Sequence, residues 1–198
     1  MLGLLLPALS VLGLLGVSPP VTGLPNGAPT SACESMMPRH QGVQPQPPPP
    51  PYTIRVSTRT STAGQPVQVT ILGPDYAGVL LEARSGSDTR ALGSWQTPPS
   101  NTKFLTCSGN QQGAITHSNT NIKNNSTVYT WITPSGPSSI FFMATVAQQR
   151  TVYWLNVKSE PLTITGGVSL EGGASPVAVA GGLLFLLPSL LLTLLYSS

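Results

Sequence analysis

Between residues 52 and 57 apolar and polar side chains alternate, with Tyr52, Ile54 and Val56 on one side of an extended chain and Thr53, Arg55 and Ser57 on the other. The same period of two sets Val67, Val69 and Ile71 against Gln68, Thr70 and Leu72, and it is the period of a β-strand. Ala63-Gly64-Gln65-Pro66 supplies a turn between these two segments. Further apolar runs at 78–83, 128–132, 140–147 and 152–157 are punctuated by Gly73-Pro74-Asp75, Ser85-Gly86-Ser87-Asp88, Thr97-Pro98-Pro99-Ser100 and Pro134-Ser135-Gly136-Pro137. No stretch of a dozen residues carries an apolar stripe at helical spacing behind a capping residue. Short strands with regular turns predict an all-β domain of two packed antiparallel sheets. Trp131, Phe141, Phe142, Tyr153 and Trp154 lie in these strands and read mostly as core; a ligand groove lined by the same rings is the alternative.

The two ends have a different pattern. Residues 2–17 are an almost unbroken apolar run without charge, followed by Ser18-Pro19-Pro20 and Val21-Thr22-Gly23, which predicts a secretory signal peptide over 1–23, cleaved after Gly23. At the other end a small-residue stretch, 166–176, precedes an apolar tail, 177–198, and no Lys or Arg follows Lys158. That order predicts a GPI signal with Gly172, Gly173, Ala174 and Ser175 as attachment candidates. A single transmembrane helix over 177–195 is the alternative, weakened by the missing basic flank. Either anchor puts the folded part, 24–165, outside the cell at the membrane surface.

Composition narrows the function. Of 198 residues only 8% are charged, against about 25% in ordinary soluble proteins, and 9 Lys+Arg face 6 Asp+Glu for a formal charge of +3. That is too thin a basic surface for a nucleic-acid partner. Residues 44–51 hold six of the 21 prolines and predict a stiff arm, read as a spacer in preference to a ligand for another protein's aromatic groove.

Two cysteines remain after the leader is removed, and in an oxidising compartment Cys33 and Cys107 are expected to pair. The rival is a metal site of Cys33, His40, Cys107 and His117, whose spacings lack the short intervals of structural zinc sites. Overlapping sequons make Asn124 and Asn125 candidates for N-glycosylation in the polar run 118–127.

Catalytic chemistry finds little purchase. His40 and His117 are the only imidazoles, and no nucleophile elbow, zinc-protease motif or phosphate loop occurs, so no enzyme activity and no cofactor are expected. Glu82 and Arg84 fall two apart on one strand face and read as a surface ion pair. Arg55, Arg59, Arg84, Arg90, Lys103, Lys123 and Arg150 read as scattered surface cations.

Taken in order, Ser31-Ala32-Cys33, Met37-Pro38-Arg39-His40, Tyr52-Thr53-Ile54, the segment 64–71, the segment 78–84, Gly93-Ser94-Trp95, Cys107, Ile115-Thr116-His117-Ser118-Asn119, Lys123, Trp131, the segment 142–146 and Tyr153-Trp154 resemble the reeler domain. This is the reelin N-terminal-type module of reelin, spondins, ferric-chelate reductases and small insect defense proteins. The resemblance spans about 24–165. It implies an immunoglobulin-like β-sandwich, supports pairing Cys33 with Cys107, and gives His117, Asn119 and Lys123 a family position in one loop as candidate ligand-binding residues. No counterpart of the reductases' redox domains is expected after Thr165. The expectation is therefore a non-enzymatic extracellular binding module for a protein or a matrix glycan. An innate-defense factor, or an accessory relative of ferric-chelate reductases, is the alternative.

Overall fold

The alternating segments become strands in a computed structural model that describes residues 24–166 apart from Arg39 and Gln41. The predicted leader, the attachment candidates Gly172, Gly173, Ala174 and Ser175, and the tail lie outside the described residues. Eleven strands follow in order: β1 (Thr53–Val56), β2 (Thr60–Thr62), β3 (Pro66–Leu72), β4 (Gly78–Arg84), β5 (Ser94–Trp95), β6 (Thr102–Cys107), β7 (Asn110–His117), β8 (Val128–Ile132), β9 (Ser139–Gln149), β10 (Val152–Lys158) and β11 (Leu162–Thr165). One sheet runs β1-β3-β8-β5; the other runs β2-β11-β9-β4-β7-β6, with β10 also paired to β9. All of these pairs are antiparallel except β2 with β11. The two sheets form the sandwich that the period of two predicts.

Register explains the core. Val67 pairs with Trp131 and Val69 with Tyr129 across β3 and β8, so these four side chains share the inner face, and all four are fully buried. Opposite them, Val79, Leu81, Phe142, Ala144 and Val146 come from the larger sheet. Trp131 meets Phe142 edge-on at 5.1 Å between ring centroids, and Trp95 meets the same ring at 5.8 Å. The Tyr76 and Tyr129 hydroxyls share one hydrogen bond at 2.9 Å, and burial pushes the Tyr76 phenol up to about 12.

The loop before β5 is fitted to Trp131. The indole Nε1 donates to the Leu92 carbonyl at 2.9 Å, and Gly93 lies at φ +64° with its missing Cβ aimed at the indole. A methyl group there would stand 2.5 Å from two ring carbons of Trp131 and 2.6 Å from the Ile132 carbonyl oxygen. Gly93→Ala is expected to cost about 2 kcal/mol from overpacking and positive φ combined. Chemical denaturation followed by tryptophan fluorescence measures it, and an unchanged midpoint would refute the close fit.

β4 is buried at all seven positions, which a strand with one wet face cannot be. Its odd residues enter the sandwich. Its even residues, Leu80, Glu82 and Arg84, face outward yet lie beneath the chain that precedes β1. That arm contains a short 3-10 turn, Thr30–Ala32, and packs Ala32, Cys33 and Met36 against Leu80, Leu105, Ala114 and Met143. The protein thus has a third layer over the larger sheet. The expected free spacer is bonded as well: the Gln46 amide donates to the Tyr153 carbonyl at 2.8 Å, and the Tyr153 hydroxyl donates to the Val43 carbonyl at 3.1 Å.

Five strands carry no apolar run that marks them in the sequence: β2, β5, β6, β7 and β11. The β6–β7 hairpin is the largest of these, because Lys103, Thr106, Gln111 and Gln112 face water and leave few apolar positions in alternation. Its local signal is Ser108-Gly109, where both residues have positive φ, as a two-residue type I′ connection requires.

Candidate functional site

The arm is stitched to the larger sheet by groups from four strands. Cys33 and Cys107 form a disulfide, with Cα atoms 5.7 Å apart, fastening the arm to the end of β6. This bond uses both sulfurs that the alternative zinc set needed, so that set is withdrawn. The Ala28 amide donates to Thr116 Oγ1 at 2.8 Å, and that hydroxyl donates to the Val79 carbonyl at 2.9 Å. Thr145 Oγ1 donates to the Met36 carbonyl. Gly27, at φ +111°, leaves room for no side chain, since its Cβ position lies 2.6 Å from the His117 carbonyl oxygen.

Arg84 holds the middle of the arm. Its guanidinium donates to the carbonyls of Cys33 and Glu34, and through Nε and an Nη to Glu82 Oε2 at 3.0 and 2.9 Å. Glu82 is 0% exposed and Arg84 4%, so the expected surface pair is corrected to a buried one. The even face of β4 would be wet without the arm, which the alternation alone could not reveal. Burial pushes the Glu82 carboxyl up to about 7, against the opposing pull of the Arg84 charge.

Where the arm reaches the first residues of β4 a cleft remains. Its inner chamber, about 50 Å³, is walled by Leu24, Ala28, Met36, Pro38, Val79, Leu80 and Ala147, with His40 and His117 beside them. Its mouth, about 380 Å³, adds Gln148, Gln149, Arg150 and Thr120. Among the described residues no carboxylate lines either part. His117 Nε2 lies 3.0 Å from the Leu24 carbonyl and its Nδ1 lies 3.3 Å from the Val79 amide. A neutral ring with the proton on Nε2 satisfies both contacts. Burial pulls the His117 imidazole down from its ordinary value, which favours that neutral form. His40 packs edge-on against Tyr153 at 5.8 Å, and its Nδ1 is buried with no hydrogen-bond partner among the described residues.

A family model described as Reeler domain matches residues 31–169. The chain belongs to the reeler domain family. The defense protein Hdd11 of Hyphantria cunea is similar, at 38% identity over 151 residues, covering 72% of this chain and 89% of that protein. Ferric-chelate reductase 1 of Mus musculus is 36% identical over 155 residues, covering 76% of this chain but 26% of the reductase. Among solved structures a human F-spondin reeler domain aligns with a TM-score of 0.50 at 21% identity, covering 67% of this chain and 99% of that one, and shares the fold.

Within this reeler domain the loop singled out from the sequence separates into different roles. His117 lines the cleft. Asn119 points instead to Asn101, its side-chain amide donating to Oδ1 at 3.1 Å. Lys123 is 2% exposed, so its assignment as a surface cation is corrected, as is that of Arg84. The Lys123 ammonium donates to the carbonyls of Ala77, Asn119 and Asn121 at 2.8, 3.1 and 2.8 Å. Burial lowers its pKa to about 8, while three carbonyl acceptors favour the protonated form. Asn124 and Asn125 stand exposed on the loop so anchored. Sequence reasoning passed over Arg150 as a cleft residue and His40 as its neighbour, since they lie over a hundred positions apart. No helix among the described residues is long and apolar enough to cross a membrane.

Proposed function

We propose that this reeler domain is a non-enzymatic extracellular binding module held at the membrane, and that its ligand seat is the cleft between arm and sheet. The observation carrying this reading is the His40 Nδ1, buried and without a hydrogen-bond partner among the described residues, beside an apolar chamber whose mouth, among those residues, holds Arg150 and no acid. Such a seat suits a protein or glycan group that offers an acceptor or an anion to the rim and an apolar surface to the floor. Of the loop residues, His117 contributes to the seat. Asn119 and Lys123 support it by fixing the loop, and an N-glycan on Asn124 or Asn125 would project from that loop. The reductase relatives match over about a quarter of their length, so their catalytic name does not carry over. Similarity to Hdd11 along most of both chains supports a defense role as the second reading.

The test uses the full chain, expressed in animal cells, against glycan arrays, immobilised matrix and whole bacteria. Binding is expected to fall at least about tenfold in Arg150→Glu and in His40→Ala, with thermal unfolding unchanged, as removal of a charged or buried hydrogen-bonding contact predicts. Binding to bacteria alone would select the defense reading. No binding to any surface, or binding indifferent to both substitutions, would remove the cleft as the seat.

A further inference from the structure

The disulfide stands beside a carboxyl group that packing does not explain. Both sulfurs and a carboxylate oxygen of Glu82 lie within 4.8 Å of one another. Glu82 Oε2 is held by Arg84, whereas Oε1 is buried with no hydrogen-bond partner among the described residues. An apolar side chain would fill this place at less cost than an acid with one idle oxygen. The two cysteines also differ in exposure, 6% at Cys33 against 1% at Cys107. Cys33 lines an open cleft with Thr30, Ser31, Glu34, Thr106, Ser108 and Gly109, a lining that includes neither Cys107 nor Glu82.

We propose that Cys33–Cys107 is a thiol-exchange site for a small thiol, with Cys33 as the attacked sulfur and Glu82 as the acid that protonates departing Cys107. The incoming thiolate forms a disulfide with Cys33 Sγ as the Cys33–Cys107 bond breaks. The electron pair of that bond goes to Cys107 Sγ, and the Glu82 proton follows it, leaving a carboxylate paired with Arg84. A second thiol attacking the mixed disulfide releases Cys33 as a thiol and carries away the oxidised small molecule, and the reverse sequence restores the bridge. Arg84 lies beside the leaving sulfur's acid and lowers the cost of negative charge there. Among the described residues it is the one charged group facing Glu82: the cross-strand neighbours are Ala114 and Met143, and from the arm Glu34 gives Arg84 its carbonyl. With its carboxyl pushed up to about 7, Glu82 retains a proton to give near neutral pH. Exposure of only 6% at Cys33 restricts the attacker to a small molecule.

The experiment incubates the full chain with reduced glutathione under native conditions, traps free thiols by alkylation and assigns both cysteines by peptide mass. A glutathione adduct on Cys33 with alkylated Cys107 is expected, at a rate first order in glutathione. Divided by thiolate concentration, that rate should fall about tenfold between pH 6 and pH 8 as an acid titrating near 7 loses its proton, and Glu82→Gln should abolish the fall. The wild-type profile carries the test alone where the variant folds poorly. An adduct on Cys107, a thiolate-corrected rate indifferent to pH, or a rate independent of glutathione, as opening through global unfolding would give, overturns the proposal.

Discussion

Arg84→Met is expected to destabilise the domain by about 4 kcal/mol, whereas replacing Glu82 by leucine and Arg84 by methionine together returns most of that loss. The single substitution leaves a fully buried carboxyl without its cation and deprives the Cys33 and Glu34 carbonyls of their donor. The double substitution removes the stranded charge along with its partner, so only the two arm carbonyls remain unpaired. Urea unfolding of the three proteins measures the difference. A double variant no more stable than the single one would show that the arm carbonyls, and not the carboxyl, dominate. The pair also gives stability a pH dependence of known sign. Because the folded Glu82 carboxyl titrates near 7 and the unfolded one near 4.5, the native state binds the extra proton between those values. The contribution of Glu82 is therefore complete below about 4.5 and is lost as pH rises through 7. His117 acts in the opposite sense, since its lowered pKa adds stability as pH rises through its ordinary range. The comparison of wild type with Glu82→Gln at each pH isolates the glutamate, and parallel profiles would sink this reading.

Removing the disulfide by Cys33→Ser with Cys107→Ser should have an effect of similar size. The bridge joins residues 74 apart, and closing a loop of that length limits the unfolded chain by about 4 kcal/mol in the chain-entropy account. The loss should be local before it is global. The arm and its cluster of Ala32, Cys33, Met36 and Leu80 lie outside the sandwich, while Trp95, Trp131 and Phe142 form a separate core between the sheets. Hydrogen exchange at the arm amides of Ala32, Cys33 and Met36 should accelerate, and protection in β3, β8 and β9 should persist under native conditions. Uniform loss of protection in arm and sandwich together would mean that the arm is part of one cooperative unit.

The candidate site was only partly legible in the sequence. His117 and the cysteine pair stand out because rare residue types draw attention in a chain with few charges. Arg150 does not, since nothing in its neighbourhood distinguishes one exposed arginine from another. The nitrogen of His40 and the oxygen of Glu82 that lack partners among the described residues are buried only once distant segments have closed over them.

What the sequence determined by itself is the sandwich. Alternation at Tyr52, Ile54 and Val56 and at Val67, Val69 and Ile71 is local information, since a period of two assigns each side chain to a face before any partner is known. What only the tertiary structure decided is that the outer face of one sheet is an interior too. In β4 the residues Glu82 and Arg84 share one face, opposite Val79, Leu81 and Ala83, and their charges alone assign that face to water. The arm takes the place of water there, fastened by the bond from Cys33 to Cys107, 74 residues further along the chain. Burial by a distant segment leaves no period in the strand it covers, so a surface ion pair and a buried one have the same sequence.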